Sequence, residues 1–141
     1  MAMISDLPTL LRSLAPLRQP GRYVYTTLPA ANAVDASLLV ATVREPEGLS
    51  AILAADDAAR LGLRGEFPCA WITLTVHSDL AAVGLTAAVA AALTDAGISC
   101  NMVAGLRHDH LFVPEADADR ALAVLQAMQT EAGGDSPSAP S

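Results

Sequence analysis

The stretch AWITLTVHSDLAAVGLTAAVAAALTDAGISCNMVAGLRHDHLFVP, residues 70–114, decides the fold. It opens with Ala70–Val76, a run rich in β-branched residues whose side chains alternate between the two faces of a strand. One face is apolar and the other carries polar groups: Ile72, Leu74 and Val76 against Trp71, Thr73 and Thr75. The alternation predicts a strand with helices over its apolar face only.

A helix is predicted to follow this strand, because apolar residues recur there at spacings of three and four. The residues of its apolar stripe are Leu85, Val89, Ala92, Leu93 and Ala96. Ser78 or Asp79 can cap its start by accepting a backbone N–H, and Gly97 suits the position just past its end.

Two further strands and a second helix complete the stretch. Ile98–Ala104 and Asp109–Val113 alternate again and predict strands joined by a turn, and Pro114 opens the next helix. The order strand, helix, strand, strand, helix is most of a ferredoxin-like unit.

Several of these residues also carry a family resemblance. Asp79, Gly84-Leu85, Leu93 and Gly97-Ile98-Ser99 resemble the ACT-domain pattern of an acidic residue, a glycine early in the first helix and a short hydrophobic turn. Over roughly Phe67 to Met128 the chain resembles small bacterial proteins with two tandem ACT-like repeats, and it is similar to the ACT repeats of the cytosolic arginine sensors of animals. Val83 departs from the pattern, since proline often precedes the glycine.

The whole chain is predicted to be α+β, with tandem ferredoxin-like (ACT-type) repeats, antiparallel sheets and helices on one face. The predicted divisions are a first repeat at 1–66, a second at 67–130 and a disordered tail at 131–141 that is rich in Gly, Pro and Ser. The first half is predicted to run helix, three strands, helix, with Asp6 capping the first helix. Each half is short of one strand, so the repeats are expected to share or exchange edge strands.

The composition of the chain limits the classes of partner that it is expected to bind. The net charge of −7 and the small aromatic fraction of 4% argue against nucleic acid and against an anionic membrane surface. Two cysteines make no disulfide framework, and no apolar run is long enough to cross a bilayer. The N-terminus shows no secretion signal, so the expected location is the cytoplasm.

The patterns of catalytic and metal sites are weak. His108 and His110 share a strand face, but only His77 could join them as a metal ligand, and local hydrogen bonding explains them more simply. The chain carries no Gly-x-Ser-x-Gly elbow and no Gly-rich phosphate loop. No catalytic residue, metal or cofactor is therefore predicted, and the protein is not expected to be an enzyme.

The loop from the central strand into the helix is the predicted ligand site. A helix N-terminus offers unpaired N–H groups and partial positive charge to a carboxylate, and an acidic side chain can hold an ammonium group. ACT domains bind amino acids at this loop, usually against a second ACT unit, so the resemblance implies the same here. The predicted ligand-binding residues are Ser78, Asp79, Leu80, Val83, Gly84, Leu85, Asn101 and His110.

Two alternatives remain open for this loop. Asp79 could serve only as a cap while Gly84 eases packing, or the loop could be a protein interface. The predicted function is accordingly a non-catalytic regulatory sensor of a small molecule, an amino acid in particular. The alternative is a structural module that dimerises without binding a metabolite. Either protein is expected to form a homo-oligomer, and a sensor also needs a protein partner to regulate.

Strand alternation also predicts what each sheet face meets. The second-half helices should share a sheet side with Ile72, Leu74 and Met102 through Leu85, Val89, Leu93, Leu122 and Leu125. The opposite face should meet the other repeat or a second copy through Trp71, Thr73, Asn101, Val103, His110 and Phe112. At the predicted site, Gly84→Val should fill the ligand space while leaving the fold largely intact.

Overall fold

The computed structural model describes residues 3–134, and within them the chain forms four α-helices and seven strands. In order they are α1 Leu7–Arg12, β1 Pro16–Arg18, β2 Tyr23–Leu28, β3 Leu39–Glu45, β4 Gly48–Ala54, α2 Ala55–Arg60, β5 Glu66–Leu74, α3 Leu85–Asp95, β6 Asn101–Ala104, β7 Asp109–Pro114 and α4 Ala118–Gly134. Short 3-10 helices lie at Ala36–Leu38 and Glu115–Asp117.

All pairings between these strands are antiparallel, and they join the strands into one sheet. The order across it is β3-β4-β2-β5-β7-β6, and β1 pairs with the second half of β5. Two ferredoxin-like units overlap in this sheet, β5-β2-β4-β3 and β1-β5-β7-β6. The fold class predicted from the sequence is therefore correct, with helices on one face of antiparallel strands.

Strand β5 belongs to both units. Tyr23 of β2 pairs with Cys69 near its beginning, and Pro16 of β1 pairs with Leu74 at its end. The expected sharing of strands is thus present, because β5 completes the first unit and β1 completes the second. The predicted boundary between residues 66 and 67 falls at the first residues of this shared strand.

The segment before β2 packs with the second half of the chain. Helix α1 begins at Asp6, whose side chain accepts a hydrogen bond from the Thr9 N–H at 3.0 Å, as predicted. Its Leu10 is fully buried beside residues of α3 and α4. Strand β1 was not among the three strands predicted for the first half, because its three residues are too few to show an alternating pattern.

The main core lies between the helices and the sheet. Leu85, Val89, Leu93 and Leu125 share one buried cluster with Ile72 and Leu74, and Met102 and Leu122 pack against it. The predicted placement of the second-half helices on one side of the sheet is confirmed. In the first half α2 covers the same side, where Ala58 packs with Val24 and Leu53.

The other face of the sheet meets aromatic residues of the first half. The rings of Tyr23 and Trp71 lie 5.3 Å apart and those of Tyr25 and Phe112 lie 6.1 Å apart, both edge to face. Phe112 is fully buried there in a cluster made of strand residues. The expectation that this face meets the other repeat is confirmed within a single chain.

Two predicted boundaries are wrong. Helix α3 begins at Leu85, about a turn and a half later than the sequence suggested, and its N-cap is Gly84 in a left-handed conformation. Helix α4 continues to Gly134, so residues 131–134 are helical and not part of a tail. The remainder of the predicted disordered tail, 135–141, lies outside the described residues.

Candidate functional site

The loop between β5 and α3 is fixed by backbone hydrogen bonds from two directions. The Ser78 N–H donates to the Arg107 carbonyl at 3.2 Å, in the turn between β6 and β7. The Asp79 N–H donates to the Ile4 carbonyl and the Ile4 N–H donates to the His77 carbonyl, each at 2.9 Å. The N-terminal segment therefore lies directly beside this loop and holds it in place through Ile4.

The start of α3 has no side-chain cap. Gly84 is the N-cap, with φ of 107° and no capping hydrogen bond from a side chain, and its carbonyl accepts the first helical bond from Ala88. The N–H groups of the first turn consequently lack intrahelical partners, as at any helix start. The prediction that Ser78 or Asp79 caps this helix is wrong, because a turn at 79–84 separates both from it.

Two carboxylates stand at the same place. Asp109, at the beginning of β7, is 9% exposed, and its Oδ2 accepts a hydrogen bond from the Ser78 hydroxyl at 3.1 Å. Asp79 Oδ1 accepts from the Ala81 N–H at 2.9 Å, which closes the turn. A carboxylate has about four acceptor positions, so both retain capacity for a further donor.

These groups line a partly open cavity of ≈140 Å³. Its lining combines polar loop and strand residues with the first turn of α3: Ser78, Asp79, Leu80, Ala82, Gly84, Leu85, Thr86, Ala104 and Asp109. Two acidic side chains face an uncapped helix N-terminus across a small space. Such a cavity offers acceptors to an ammonium group on one side and N–H donors to a carboxylate on the other.

Five of the eight residues proposed from the sequence line this cavity: Ser78, Asp79, Leu80, Gly84 and Leu85. Val83 belongs to the same loop but does not line the cavity, and it is 85% exposed. Asn101 lies at the opposite end of β6 from Ala104, about 10 Å away at ~3.3 Å per residue.

His110 occupies the other face of the sheet. Its Nδ1 accepts a hydrogen bond from the Trp71 indole N–H at 3.1 Å and lies 3.1 Å from the Thr73 hydroxyl. Desolvation lowers the pKa of His110, and the neighbouring His108 adds to the lowering while Asp109 opposes it. His110 therefore serves the packing of this face and does not contribute to the cavity.

Asp109 and Thr86 line the cavity but were not among the residues proposed from the sequence. A strand that turns His110 and Phe112 to one face turns Asp109 toward the helices, and this consequence of the alternation was not drawn from the sequence. The sequence feature that could have identified Asp109 is an aspartate on the core side of a strand. Thr86 was missed because the helix was predicted to begin too early in the sequence.

The histidines near the loop contact the backbone and each other. His108 Nδ1 donates to the Val76 carbonyl at 3.3 Å, and its ring lies 4.8 Å from that of His77. Across residues 3–134, no three His, Cys, Asp or Glu side chains come together in a way that could hold a metal ion.

A larger open groove of ≈290 Å³ lies on the other sheet face, lined by Tyr25, Thr26, Thr27, Ser50, Arg64 and Glu66. Its two charged side chains are 89% and 66% exposed and pair with each other at 3.5 Å between Arg64 Nε and Glu66 Oε2. It offers no buried charge to a ligand, which favours the smaller cavity as the site.

Fold and cavity together define a protein of two strand-sharing ferredoxin-like units with a polar cavity at a helix N-terminus. Two family models, each described as ACT domain, match residues 2–70 and residues 66–127. They overlap at 66–70, the beginning of the shared strand β5. The chain belongs to the ACT-domain family, a family of regulatory domains, and it carries two ACT domains in tandem.

Solved structures share the fold. A Vibrio cholerae protein of unknown function, described as a possible transport protein, is 45% identical, with a TM-score of 0.77 over 87% of this chain and 95% of that one. An Agrobacterium tumefaciens protein is 22% identical, with a TM-score of 0.63 over 81% and 87% of the two chains.

The regulatory subunit of aspartate kinase from Thermus thermophilus shares the fold. It is 10% identical, with a TM-score of 0.60 over 82% of this chain and 97% of that one. No curated protein matches the chain significantly. None of the helices between residues 3 and 134 is long and apolar enough to span a membrane.

Proposed function

We propose that this protein is a non-catalytic regulatory sensor that binds a small amino acid in the cavity between the 78–84 loop and the start of α3. The observation that carries the proposal is the joint presence of two carboxylates and an uncapped helix N-terminus around one cavity. An α-amino acid at neutral pH presents the two complementary charges. The family membership supports the same class of ligand.

The charges around the cavity predict the orientation of the bound ligand. Its carboxylate would accept from the N–H groups of Leu85 and Thr86, where the helix dipole adds partial positive charge. Its ammonium group would lie between Asp79 and Asp109, whose carboxylates are already oriented by Ala81 and Ser78. Charges in a partly buried site interact more strongly with a ligand than exposed charges do, because the effective dielectric constant is lower there.

The volume limits the ligand. The cavity of ≈140 Å³ is smaller than the ~300 Å³ at which sites for drug-sized ligands begin. This volume favours a small amino acid over a nucleotide.

A second copy of the chain would cover the loop. Leu80 and Val83 are 61% and 85% exposed beside the cavity, and Leu106, in the turn that holds Ser78, is 64% exposed. Large apolar side chains left in water near a site favour a protein partner over them. A homodimer through this rim would also shield the bound ligand from water.

The test is a thermal-shift screen with the twenty amino acids, followed by calorimetric titration of each hit. A ligand at a hundredfold excess over its Kd stabilises the protein by about 2.7 kcal/mol. Asp109→Asn and Asp79→Asn should each weaken binding, because each removes the charge that holds the ammonium group. Asp95→Asn, exposed at the far end of α3, is the matched control and should bind as the wild type does.

The proposal fails in either of two cases. One is that no amino acid raises the melting temperature. The other is that a hit binds the Asp109→Asn and Asp79→Asn variants with unchanged affinity, which would place its site elsewhere. Light scattering of Val83→Glu tests the rim separately, and an unchanged oligomeric state would rule out self-association there.

A further inference from the structure

The N-terminal segment before α1 runs alongside the loop that bounds the proposed ligand cavity. Ile4 pairs with Ser78 in an isolated parallel bridge. Its N–H donates to the His77 carbonyl, and its carbonyl accepts from the Asp79 N–H, each at 2.9 Å. On the other side of the loop, the Ser78 N–H donates to the Arg107 carbonyl. The beginning of the loop is therefore held between two segments, and Ile4 makes both backbone bonds on one side.

The same segment also reaches the far end of the loop. A Cβ at Gly84 would lie 3.1 Å from Leu7 Cδ2, so Leu7, the first residue of α1, packs directly against the N-cap of α3. Ile4 and Leu7 are three residues apart, a length of chain that spans at most ~11 Å. The chain from Ile4 to Leu7 thus contacts both ends of the loop and keeps them close together.

This segment is anchored firmly at one end only. Leu10 of α1 is fully buried in the main core, and Asp6 caps that helix. Before the cap, Met3 is 37% exposed and Ile4 is half-buried. A bridge of two backbone hydrogen bonds and one half-buried side chain opens at a lower free energy than the core does. Residues 3–6 can therefore detach from the loop while α1 stays in place.

We propose that residues 3–6 form a strap that opens and closes on the loop, and that Ile4 is a positioning residue for Asp79. In the closed form the Ile4 carbonyl fixes the Asp79 backbone, and with it the carboxylate that would hold the ammonium group of the ligand. Asp109 is held separately, by the Ser78 hydroxyl. The role of Ile4 in ligand binding rests on the proposed function, whereas the opening of the strap does not.

Opening of the strap and binding in the cavity are then coupled. A ligand that binds the closed form more tightly shifts the strap toward closure, and closure strengthens binding by the same factor. Occupancy of the cavity is thereby converted into a change in the exposure of the N-terminal segment. This is an outward signal of the kind that the proposed sensor needs.

Amide hydrogen exchange of the full-length protein tests the strap without a ligand. In the wild type the Asp79 amide should exchange faster than the buried amides of α3, because the strap opens independently of the core. Ile4→Pro removes the N–H donor of the bridge and should speed exchange at Asp79 about tenfold, while the α3 amides change far less.

Ser5→Pro is the matched control for this substitution. The Ser5 N–H makes no hydrogen bond within residues 3–134, and a proline at this position favours an extended conformation at Ile4. The Asp79 amide should therefore exchange in Ser5→Pro as it does in the wild type. Ile4→Val keeps the backbone bridge and should also match the wild type.

Calorimetric titration with glycine, L-alanine and L-serine tests the link to the cavity. Ile4→Pro should weaken binding about tenfold, and Ser5→Pro and Ile4→Val should not. Asp79→Asn should cost less affinity in the Ile4→Pro background than in the wild type, because both changes act through one carboxylate. Asp109→Asn should cost the same affinity in both backgrounds, since Ser78 orients that residue.

The outcomes separate the strap from the ligand. The strap is overturned if the wild-type Asp79 amide exchanges as slowly as the α3 core, or if Ile4→Pro and Ser5→Pro exchange alike. Additive losses of affinity for Ile4→Pro and Asp79→Asn would overturn the positioning role of Ile4. A wild type that binds none of the three amino acids would count against the proposed function, and the exchange rates would still decide whether the strap opens.

Discussion

The Ser78 hydroxyl donates a hydrogen bond to Asp109 Oδ2 at 3.1 Å, and both residues are buried, at 6% and 9% exposure. This bond joins the loop that precedes α3 to the first residue of β7. It holds a carboxylate on the core side of the sheet, where an apolar residue would ordinarily stand. This arrangement supplies one of the two carboxylates of the proposed ligand cavity.

Ser78→Ala should destabilise the protein, because Asp109 then stays buried without its hydroxyl donor. A buried acceptor left unsatisfied costs about 1–3 kcal/mol. The measurement is urea denaturation at pH 7, with Ser99→Ala at an exposed position as the control, expected to lie within ~0.5 kcal/mol of wild type. Equal free energies of unfolding for the two variants would show that the Ser78–Asp109 bond contributes nothing to stability.

Gly84→Ala should also destabilise, contrary to the sequence-based expectation that valine is tolerated here. With φ at 107°, a side chain faces backbone strain of about 1–2 kcal/mol, and a Cβ would lie 3.1 Å from Leu7 Cδ2. Gly97→Ala is the control, since its φ of 73° brings similar strain but no atom within 4 Å. Gly84→Ala should lose more stability than Gly97→Ala in the same denaturation experiment, and Leu7→Ala should narrow the gap.

Leu93→Ala should be the most damaging of the single core changes in α3. Leu93 is fully buried among residues of β5, β7 and α4, and truncating such a leucine to alanine costs about 2–5 kcal/mol of stability. Urea denaturation of the variant and the wild type would measure the loss. Leu106→Ala removes the same atoms at a position that is 64% exposed and should change stability little. A loss below about 1 kcal/mol for Leu93→Ala would mean that the surrounding helices collapse into the space.

The sequence predicted the fold well where periodicity and end signals agreed. Gly97 marked the end of α3, and the stripe through Leu93 identified its buried face. Its start was misplaced because Ser78 and Asp79 are typical caps, whereas here one binds a distant strand and the other closes a turn. Side-chain choices of that kind depend on tertiary neighbours that no local pattern contains.

The same limit applies to the site. Strand alternation was enough to place His110 and Phe112 opposite the helices, and it implied the position of Asp109 as well. Asn101 was expected at the site because it lies on the adjacent strand, but antiparallel pairing puts it opposite Phe112, and the cavity is at the Ala104 end. Asn101 also shares the face of Phe112, away from the cavity, so strand alternation and the register set by the turn at 105–108 both exclude it.

Stability should depend on pH through the pair Trp71 and His110. Burial lowers the pKa of His110 below its usual 6.5, so the unfolded chain takes up this proton more readily than the folded one. Stability therefore rises with pH in this window, and it is lost as pH falls through about 6.5 toward the lowered folded-state pKa. Protonation also ends the hydrogen bond from Trp71, because Nδ1 becomes a donor.

Trp71 is the single tryptophan, so its fluorescence should titrate with a midpoint below 6.5. His110→Gln should abolish that titration and flatten the pH dependence of stability, while His77→Gln should retain both. A midpoint above 6.5, or a titration that survives His110→Gln, would contradict the assignment.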